Sequence, residues 1–283
     1  PPPTLSSAAS DVYKRQKQYW LRADARQRAD ATESAIKEFG LDEETYLTKV
    51  WAIKMGLGAQ TLANADIGLN LRADATELVT HDNMLRAELN FGDKYLKTGV
   101  WGTDLTVPAA DKWDVSTSDP VEMVNAGRRA IQKITGRKPN TLVLGRDIMD
   151  ALQIHPTIRD YFKHVREGNV SAQQLAQLFR VPRVFEMNAI QATTPEGLEA
   201  AQDYDFVFAK NALLCYSAER PSLIMPSAGY TFNWRGYINN ESGMGINRWY
   251  SDERKAEFVE SEMAYDQAVV GADLGYFFDG LVS

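Results

Sequence analysis

Apolar residues recur at helical spacing most clearly in the centre of the chain. Asp119 is a favourable helix cap, Pro120 suits the first helical position, and Glu122 adds an acid to the first turn. Apolar residues then follow every three or four positions until Gly136, a residue type that commonly stands just beyond a helix. We therefore predict a helix over residues 119–135.

Strands and further helices are predicted in the second half of the chain. Residues 141–145 form a short apolar run, and helices are predicted from Arg146 to just before His155 and from Ser171 onward. Strand-like runs follow at 183–187, 205–216, 229–237 and, with alternation in stretches, about 246–282. Together these elements indicate an α+β fold with long strands late in the chain.

The beginning of the chain is less regular. Residues 41–55 place Val50, Trp51 and other apolar residues among acids and lysines, and we predict an amphipathic helix there. The glycines of segment 56–61 resemble a dinucleotide-binding loop. That loop requires a preceding strand and a third glycine or alanine, whereas the preceding segment looks helical and Thr61 stands in the third position. We therefore expect no bound cofactor.

Residues 83–118 contain three large aromatic residues in a segment with little periodicity. Tyr95, Trp101 and Trp113 lie between turn residues, and glycines interrupt any helix. A segment of this length is too long for an ordinary connection, so it is either a disordered loop or a hairpin that buries its tryptophans against something else. Because exposed tryptophans are favoured as interface anchors, we predict that it contacts a partner subunit.

The composition is that of a folded globular protein. The chain has 283 residues, of which 44% are hydrophobic and 24% charged, so it can bury a sizeable core. The sequence contains no apolar stretch long enough for a membrane helix and no signal-peptide pattern, so we expect neither membrane insertion nor secretion by that route. The single cysteine, Cys215, lies in an apolar run and is expected to be a small buried residue, which fits synthesis in a cytoplasm.

Charge is distributed unevenly along the chain. The formal net charge of −7 argues against a nucleic-acid binder that is basic all round. Residues 14–28 and 128–138 are nevertheless basic, and each is either a solvated helix face or a surface that binds phosphates without reading bases. The candidate phosphate-binding residues are Arg22, Arg26, Arg28, Arg128, Arg129, Lys133, Arg137 and Lys138.

Catalytic and metal-binding motifs are not evident in the sequence. His81, His155 and His164 are not at metal-ligand spacing, and His155, which precedes a proline, is expected to be a cap or surface residue. Glu260 and Glu262 are interpreted as the solvent-facing side of a strand rather than as an acid–base pair. Nucleophile-elbow, phosphate-loop and paired-cysteine motifs are also lacking, so we predict no catalytic residue and no metal site.

An ordered series of segments resembles the major capsid proteins of tailed bacteriophages, the shell proteins of the Hong Kong 97 type. The series consists of Asp119-Pro120, AGRRAI at 126–131, TGRKPNTLVLG at 135–145, Ala151-Leu152, His155-Pro156, Pro221-Ser222, YTFNW at 230–234 and GYFF at 275–278. No single piece is a catalytic signature, so the specificity comes from the order of the segments. The likeness spans most of residues 20–282.

The resemblance implies a Hong Kong 97-like fold with an N-terminal arm, an extended hairpin loop, a spine helix, a peripheral domain and an axial domain. The implied assignments are 1–45 for the arm, 46–82 for the peripheral-domain entry, 83–118 for the extended loop, 119–140 for the spine helix of the peripheral domain, 141–225 for the axial domain and 226–283 for the returning peripheral strands. Residues 1–16 also resemble translated sequencing-adapter sequence, so we assign no function to them.

The resemblance further implies a structural protein of the virion, made in the host cytoplasm, whose copies form an icosahedral shell around double-stranded DNA. Its expected partners are copies of itself, in pentamers with hexamers left open, and the packaged DNA, bound without sequence specificity by the basic residues above. Scaffolding, portal and decoration proteins are further candidate partners, and a membrane is not expected. Two alternatives stay open: an encapsulin-like compartment, and a cytoplasmic α/β enzyme with a ligand-binding edge at residues 142–145.

Overall fold

The structure, a computed structural model, describes residues 47–64, 69–163, 170–192, 204–220, 227–238 and 243–283. These residues divide between two compact units. The first unit holds the described residues up to Phe91 and those from Thr231 to Ala268, and the second holds those from Gly92 to Tyr230 and from Val269 to Ser283.

Helices and strands occur in both units. The helices are α1 (Ala59–Ala63), α2 (Leu71–Tyr95), α3 (Pro120–Thr135), α4 (Arg146–Ile154), α5 (Pro156–Phe162) and α6 (Ala172–Phe179). The strands are β1 (Lys49–Gly58), β2 (Thr103–Thr106), β3 (Thr141–Gly145), β4 (Arg183–Met187), β5 (Ile190–Ala192), β6 (Tyr204–Phe206), β7 (Ala212–Cys215), β8 (Gly229–Asn233), β9 (Met244–Ser251), β10 (Ala256–Val269) and β11 (Gly275–Asp279).

In the first unit, helix α2 packs on one face of a sheet centred on the long strand β10. Strand β1 pairs antiparallel with β10 along its whole length, and β8 and β9 also pair with β10. The Nδ2 group of Asn83 in α2 donates to the carbonyl and hydroxyl oxygens of Ser261 in β10, both at 2.8 Å. The buried apolar residues of this layer are Leu57, Ala75, Val79 and Val259.

The predicted helix over residues 41–55 is wrong from residue 49 onward, because those residues form β1; residues 41–46 lie outside the described part of the chain. Aromatic and β-branched residues such as Trp51 and Ile53 favour a strand where a partner strand is present, and β10 supplies that partner. A strand therefore does precede segment 56–61. It belongs to an antiparallel sheet, however, and not to the parallel unit that a dinucleotide loop requires.

The second unit is built on a five-stranded sheet in the order β2-β11-β7-β3-β4. Strand β11 runs parallel to β2 and antiparallel to β7, while β3 runs antiparallel to β7 and parallel to β4. All residues of β3 and β7 are buried, so these strands are covered on both faces. Helices α3, α4 and α6 contribute Ile131, Leu152 and Phe179 to the same core.

The helix boundaries predicted from capping residues are confirmed. The carboxylate of Asp119 accepts hydrogen bonds from the amides of Val121 at 3.0 Å and Glu122 at 3.1 Å, and α3 ends at Gly136 with φ of 70°. Ser171 forms a capping box at the start of α6. The predicted strands 141–145 and 183–187 and the predicted helix from Arg146 are confirmed as well.

Helix α2 continues to Tyr95, so the prediction of a loop is wrong for residues 83–95. We expected Gly92 to interrupt a helix. Instead the ring of Phe208 packs against it, and a Cβ at position 92 would lie only 1.7 Å from Cε2 of that ring. This glycine is required for a close approach and does not end the helix.

The predicted domain boundary between residues 140 and 141 does not coincide with a division in the structure. Helix α3 and strand β3, which flank it, lie in the same unit. The predicted return segment 226–283 is divided between the units, because β11 inserts into the sheet of the second unit. The division into arm, loop, peripheral and axial domains stays a prediction.

Replacing Gly145 by alanine is expected to destabilise the second unit by about 3 kcal/mol, because the added Cβ would lie 2.1 Å from the backbone carbonyl oxygen of Ala209. At Gly58 the nearest atom, Oγ1 of Thr61, would be 3.6 Å from an added Cβ, and φ is −63°. Gly58→Ala should therefore change stability by less than about 1 kcal/mol. Urea unfolding followed by circular dichroism compares the two variants, and equal midpoints would contradict the predicted clash.

Candidate functional site

Tyr95 and Trp101 form a buried aromatic pair. The indole Nε1 of Trp101 donates to the carbonyl oxygen of Tyr95 at 2.6 Å, and the two rings stack with centroids 5.9 Å apart. The indole also lies against Gly275, where a Cβ would be 2.0 Å from its Cε3. Tyr95 is 5% exposed and Trp101 is 7% exposed.

Trp113 lies in the core of the second unit, with no exposed surface. Its ring stacks on Phe179 with centroids 6.4 Å apart and lies at a tilt to Phe278 at 6.2 Å. Its Nε1 group donates to the sulfur of Met123 at 3.3 Å, and its backbone amide donates to the carbonyl of Leu281 at 2.7 Å. The side chain therefore joins the helical layer to the sheet.

The premise that these tryptophans are exposed and need a neighbouring subunit is wrong. The parallel pairing of β2 with β11 holds the segment after α2 on the sheet, where its aromatic side chains are buried within the same chain. Residues 103–106 are too short and too polar to identify this pairing from sequence. Contact between Tyr95, Trp101 or Trp113 and a partner subunit stays a prediction without that support.

Of the two basic stretches, residues 14–28 and 128–138, the structure describes only the second. The candidate residues Arg22, Arg26 and Arg28 lie outside the described residues. The second stretch lies on α3 and in the turn after it, where Lys133 and Lys138 are exposed and Arg137 is half-buried. Arg129 is exposed and forms an ion pair with Glu122.

Arg128 lines a groove of about 540 Å³ between α3 and α6. The groove is lined by Val121, Asn125, Arg128, Arg129, Gln132, Tyr161, Gln177, Leu178 and Arg180. The Nη1 group of Arg128 donates to Oδ1 of Asn125 at 3.0 Å, whereas its Nε is buried without a hydrogen-bond partner. Sequence analysis identified Arg128 but missed Arg180, because the two arginines meet only when the helices pack.

Arg128 and Arg180 are close enough to interact electrostatically. Burial first, and then the positive charge of Arg180, lower the pKa of the Arg128 guanidinium. The described residues that line the groove include three arginines, three side-chain amides and one tyrosine, and no carboxylate is among them. The groove can therefore donate many hydrogen bonds to an oxyanion.

The remaining candidate chemical groups are structural. Cys215 is buried, as predicted, and burial raises the pKa of its thiol to about 12. His155 is predicted to be a cap or surface residue, and it is a cap, standing between α4 and α5. It is not a surface residue: it is 2% exposed, and its Nε2–H donates to the carbonyl of Val115 at 3.1 Å beside Ser118. Within the described residues, no group of three or more His, Cys, Asp or Glu side chains is placed to hold a metal ion.

Glu260 and Glu262 are partly exposed in β10, while Val259 and Ser261 between and beside them are buried. This alternation agrees with the predicted solvent-facing side of a strand. None of the helices in the described part of the chain has the length and apolar character needed to cross a membrane.

Comparison with known proteins gives one sequence relative and several similar structures. No family model matches the chain. The major capsid protein of Burkholderia phage BcepMu is 26% identical over 185 residues, a match that covers 64% of this chain. It covers only 56% of the relative, so the chain spans little more than half the length of the curated protein that it matches.

Among solved structures, a phage-related protein from Bordetella bronchiseptica aligns with 98% of this chain and 86% of its own chain, with a TM-score of 0.74 and 18% identity. The capsid of cyanophage P-SCSP1u aligns with 91% of this chain and 80% of its own, with a TM-score of 0.55 and 11% identity. The predicted α+β fold of the Hong Kong 97 type is confirmed by these likenesses. The sequence relative and the capsid structure also confirm the resemblance to phage major capsid proteins.

Replacing Trp113 by alanine is expected to destabilise the isolated subunit by about 3–5 kcal/mol, because it leaves a cavity among Phe179 and Phe278. Trp249 is 39% exposed, stacks on Phe258 and has the ammonium of Lys54 at 5.9 Å from its ring centroid. Trp249→Ala serves as the control and should cost about 1 kcal/mol. Urea titration of the unassembled protein measures both losses. A Trp113 variant as stable as the Trp249 variant would show that the indole is not part of the core.

Proposed function

We propose that this chain is a major capsid protein of a tailed bacteriophage, and that its copies assemble into an icosahedral shell around double-stranded DNA. The observation that carries the proposal is that the chain combines a capsid fold with a sequence relative named as a phage major capsid protein. In such a protein the function lies in the contacts between subunits and not in a reaction. The protein would then be found in the virion after synthesis in the host cytoplasm.

The order of elements supports a revised assignment of the extended loop and the spine helix. The resemblance places an extended loop before a long spine helix. Helix α2 has 25 residues and α3 has 16, so α2 suits the spine helix better. We therefore assign the extended loop to the segment around β1, which precedes α2, and no longer to residues 83–118.

The exposure of β1 supports this assignment. Val50 is 42% exposed, and Ile53 and Met55 are each 37% exposed, although all three are large apolar residues. Within the described residues β1 pairs only with β10, so its other edge is open. Ile53 in β1 and Ile246 in β9 both pair with Ser261 of β10, so they lie on the face of the sheet that α2 contacts at Ser261, and both stay exposed there. Val50, which pairs with Ala264, lies on the opposite face. Exposed apolar residues beside an open edge are suited to contact with a neighbouring subunit.

Contact with the packaged DNA is proposed for basic residues that solvent can reach. Lys133 and Lys138 on and after α3 are exposed, and Arg129 is exposed beside Glu122. Such side chains can bind phosphates without reading sequence. Arg22, Arg26 and Arg28 are kept as further candidates for the same role. Scaffolding, portal and decoration proteins stay candidate partners.

The two alternative functions have less support. An encapsulin-like compartment has a similar fold, so only the sequence relative favours the phage capsid over it. The enzyme alternative uses β3 as a ligand-binding edge, which requires parallel neighbours. Strand β3 pairs in parallel with β4 but antiparallel with β7, so it has a parallel neighbour on one side only, and this mixed pairing weakens that alternative.

Purified protein is expected to form closed shells, with or without a co-expressed scaffolding protein. Electron microscopy and light scattering measure the assembly, and nuclease treatment of particles from phage-infected cells measures protected DNA. Shells that retain protein cargo and no DNA would favour the encapsulin-like compartment. Protein that stays monomeric at high concentration under all these conditions would contradict the proposal.

Replacing Ile53 by lysine is expected to reduce the yield of shells at least about tenfold while the subunit stays folded, because a charge would enter the proposed apolar contact. Ile154→Lys is the matched control, since Ile154 is 73% exposed at the end of α4 and outside the proposed surface. Shell yield is measured by sedimentation and folding by circular dichroism. Equal yields from the two variants would exclude the face around Ile53 as a subunit contact.

A further inference from the structure

The groove between α3 and α6 brings positive charges together without a described counter-charge. Arg128 and Arg180 interact across it, and the carboxylate of Glu122 is already paired with Arg129. Nε of Arg128 is buried and lacks a hydrogen-bond partner. Neighbouring guanidinium groups repel each other unless an anion lies between them, so this arrangement suits a bound anion.

The backbone conformation of Arg180 is a second observation that points to a role for its side chain. Arg180 follows α6 in the left-handed conformation, with φ of 53°. Glycine adopts this conformation without a steric penalty, and α3 ends in this way at Gly136, with φ of 70°. An arginine at the equivalent place after α6 strains the backbone, and residues held in strained conformations are frequently functional ones.

The shape of the groove identifies the kind of anion that can enter. Its lining combines the arginines with the amides of Asn125, Gln132 and Gln177, and it also includes Tyr161 and Leu178. Tyr161 is 60% exposed and can cover an entering side chain. A volume of about 540 Å³ accommodates a protruding side chain but not a duplex, which binds more readily to the exposed lysines of α3.

We propose that this groove binds the carboxylate of an acidic side chain from a neighbouring copy of the chain. The inference rests on the proposed function, because it needs copies packed side by side. Charge complementarity favours a second copy as the source: the chain carries a net charge of −7, while the groove is positive. Guanidinium groups bind carboxylates through two parallel hydrogen bonds, which also fixes the orientation of the partner.

The first test replaces Arg180 by glycine, which suits the left-handed backbone and leaves the fold intact. The unassembled variant should unfold at the same or a higher temperature than the unmodified protein, while the protein concentration needed for shell formation should rise about tenfold. Arg159→Gln is the matched control, because it removes one positive charge from an exposed position of α5 that does not line the groove. That control should assemble normally. Normal assembly of the Arg180 variant would overturn the inference and leave the proposed function intact.

The second test does not depend on shell formation. Acetate, as a probe of carboxylate binding, should raise the unfolding temperature of the unassembled protein more than chloride does at equal ionic strength, and the Arg180→Gly variant should lose this difference. An equal response of the variant would overturn the inference even if no shells form. Inorganic phosphate and a short DNA duplex are compared in the same way. Loss of duplex binding in the Arg180 variant, with assembly unchanged, would assign the groove to DNA phosphates instead.

Discussion

Strand β11 is paired along both of its edges, with β2 on one side and β7 on the other, and the second unit depends on this double pairing. Strand β11 joins β2 and β7, which are far apart along the chain, into one sheet. It also positions Phe278 against Trp113, and the backbone amide of Trp113 then bonds to Leu281, just after β11. The helices α3, α4 and α6 cover a sheet that is complete only when β11 is in place.

A different principle organises the first unit, where polar contacts fix the position of a helix on a sheet. Asn83 and Asn90 of α2 donate hydrogen bonds to Ser261 and Tyr265 in β10, each at 2.8 Å. A buried amide with a specific partner selects one register between helix and strand, whereas apolar contacts alone tolerate sliding. The long strand β10 therefore carries both the sheet pairing and the anchor points for α2.

Sequence analysis succeeded where the determining contacts are local. Asp119, Gly136 and Ser171 act on backbone groups within a few residues, so the ends of α3 and the start of α6 could be predicted. It failed where a distant partner decides the conformation. Strand β1 forms because β10 lies beside it, and the reason for a glycine inside α2 is the ring of Phe208 that packs against Gly92.

The same limit applies to the candidate sites. The basic character of Arg128 and its neighbours could be read from sequence, but the groove shared with Arg180 arises only from the packing of two helices. The burial of Trp101 and Trp113 likewise depends on the parallel pairing of β2 with β11. A tryptophan beside glycines is typical of an exposed loop and of a tightly packed core, and only tertiary contacts distinguish the two.

The pairing of β11 also has a consequence during translation. Strand β2 leaves the ribosome long before β11, so until then the nascent chain lacks an interior strand of the sheet. A product that stops short of Gly275 cannot form the complete five-stranded sheet, however complete its earlier helices are. Only polypeptides synthesised past this strand can therefore complete the sheet that buries Trp101 and Trp113.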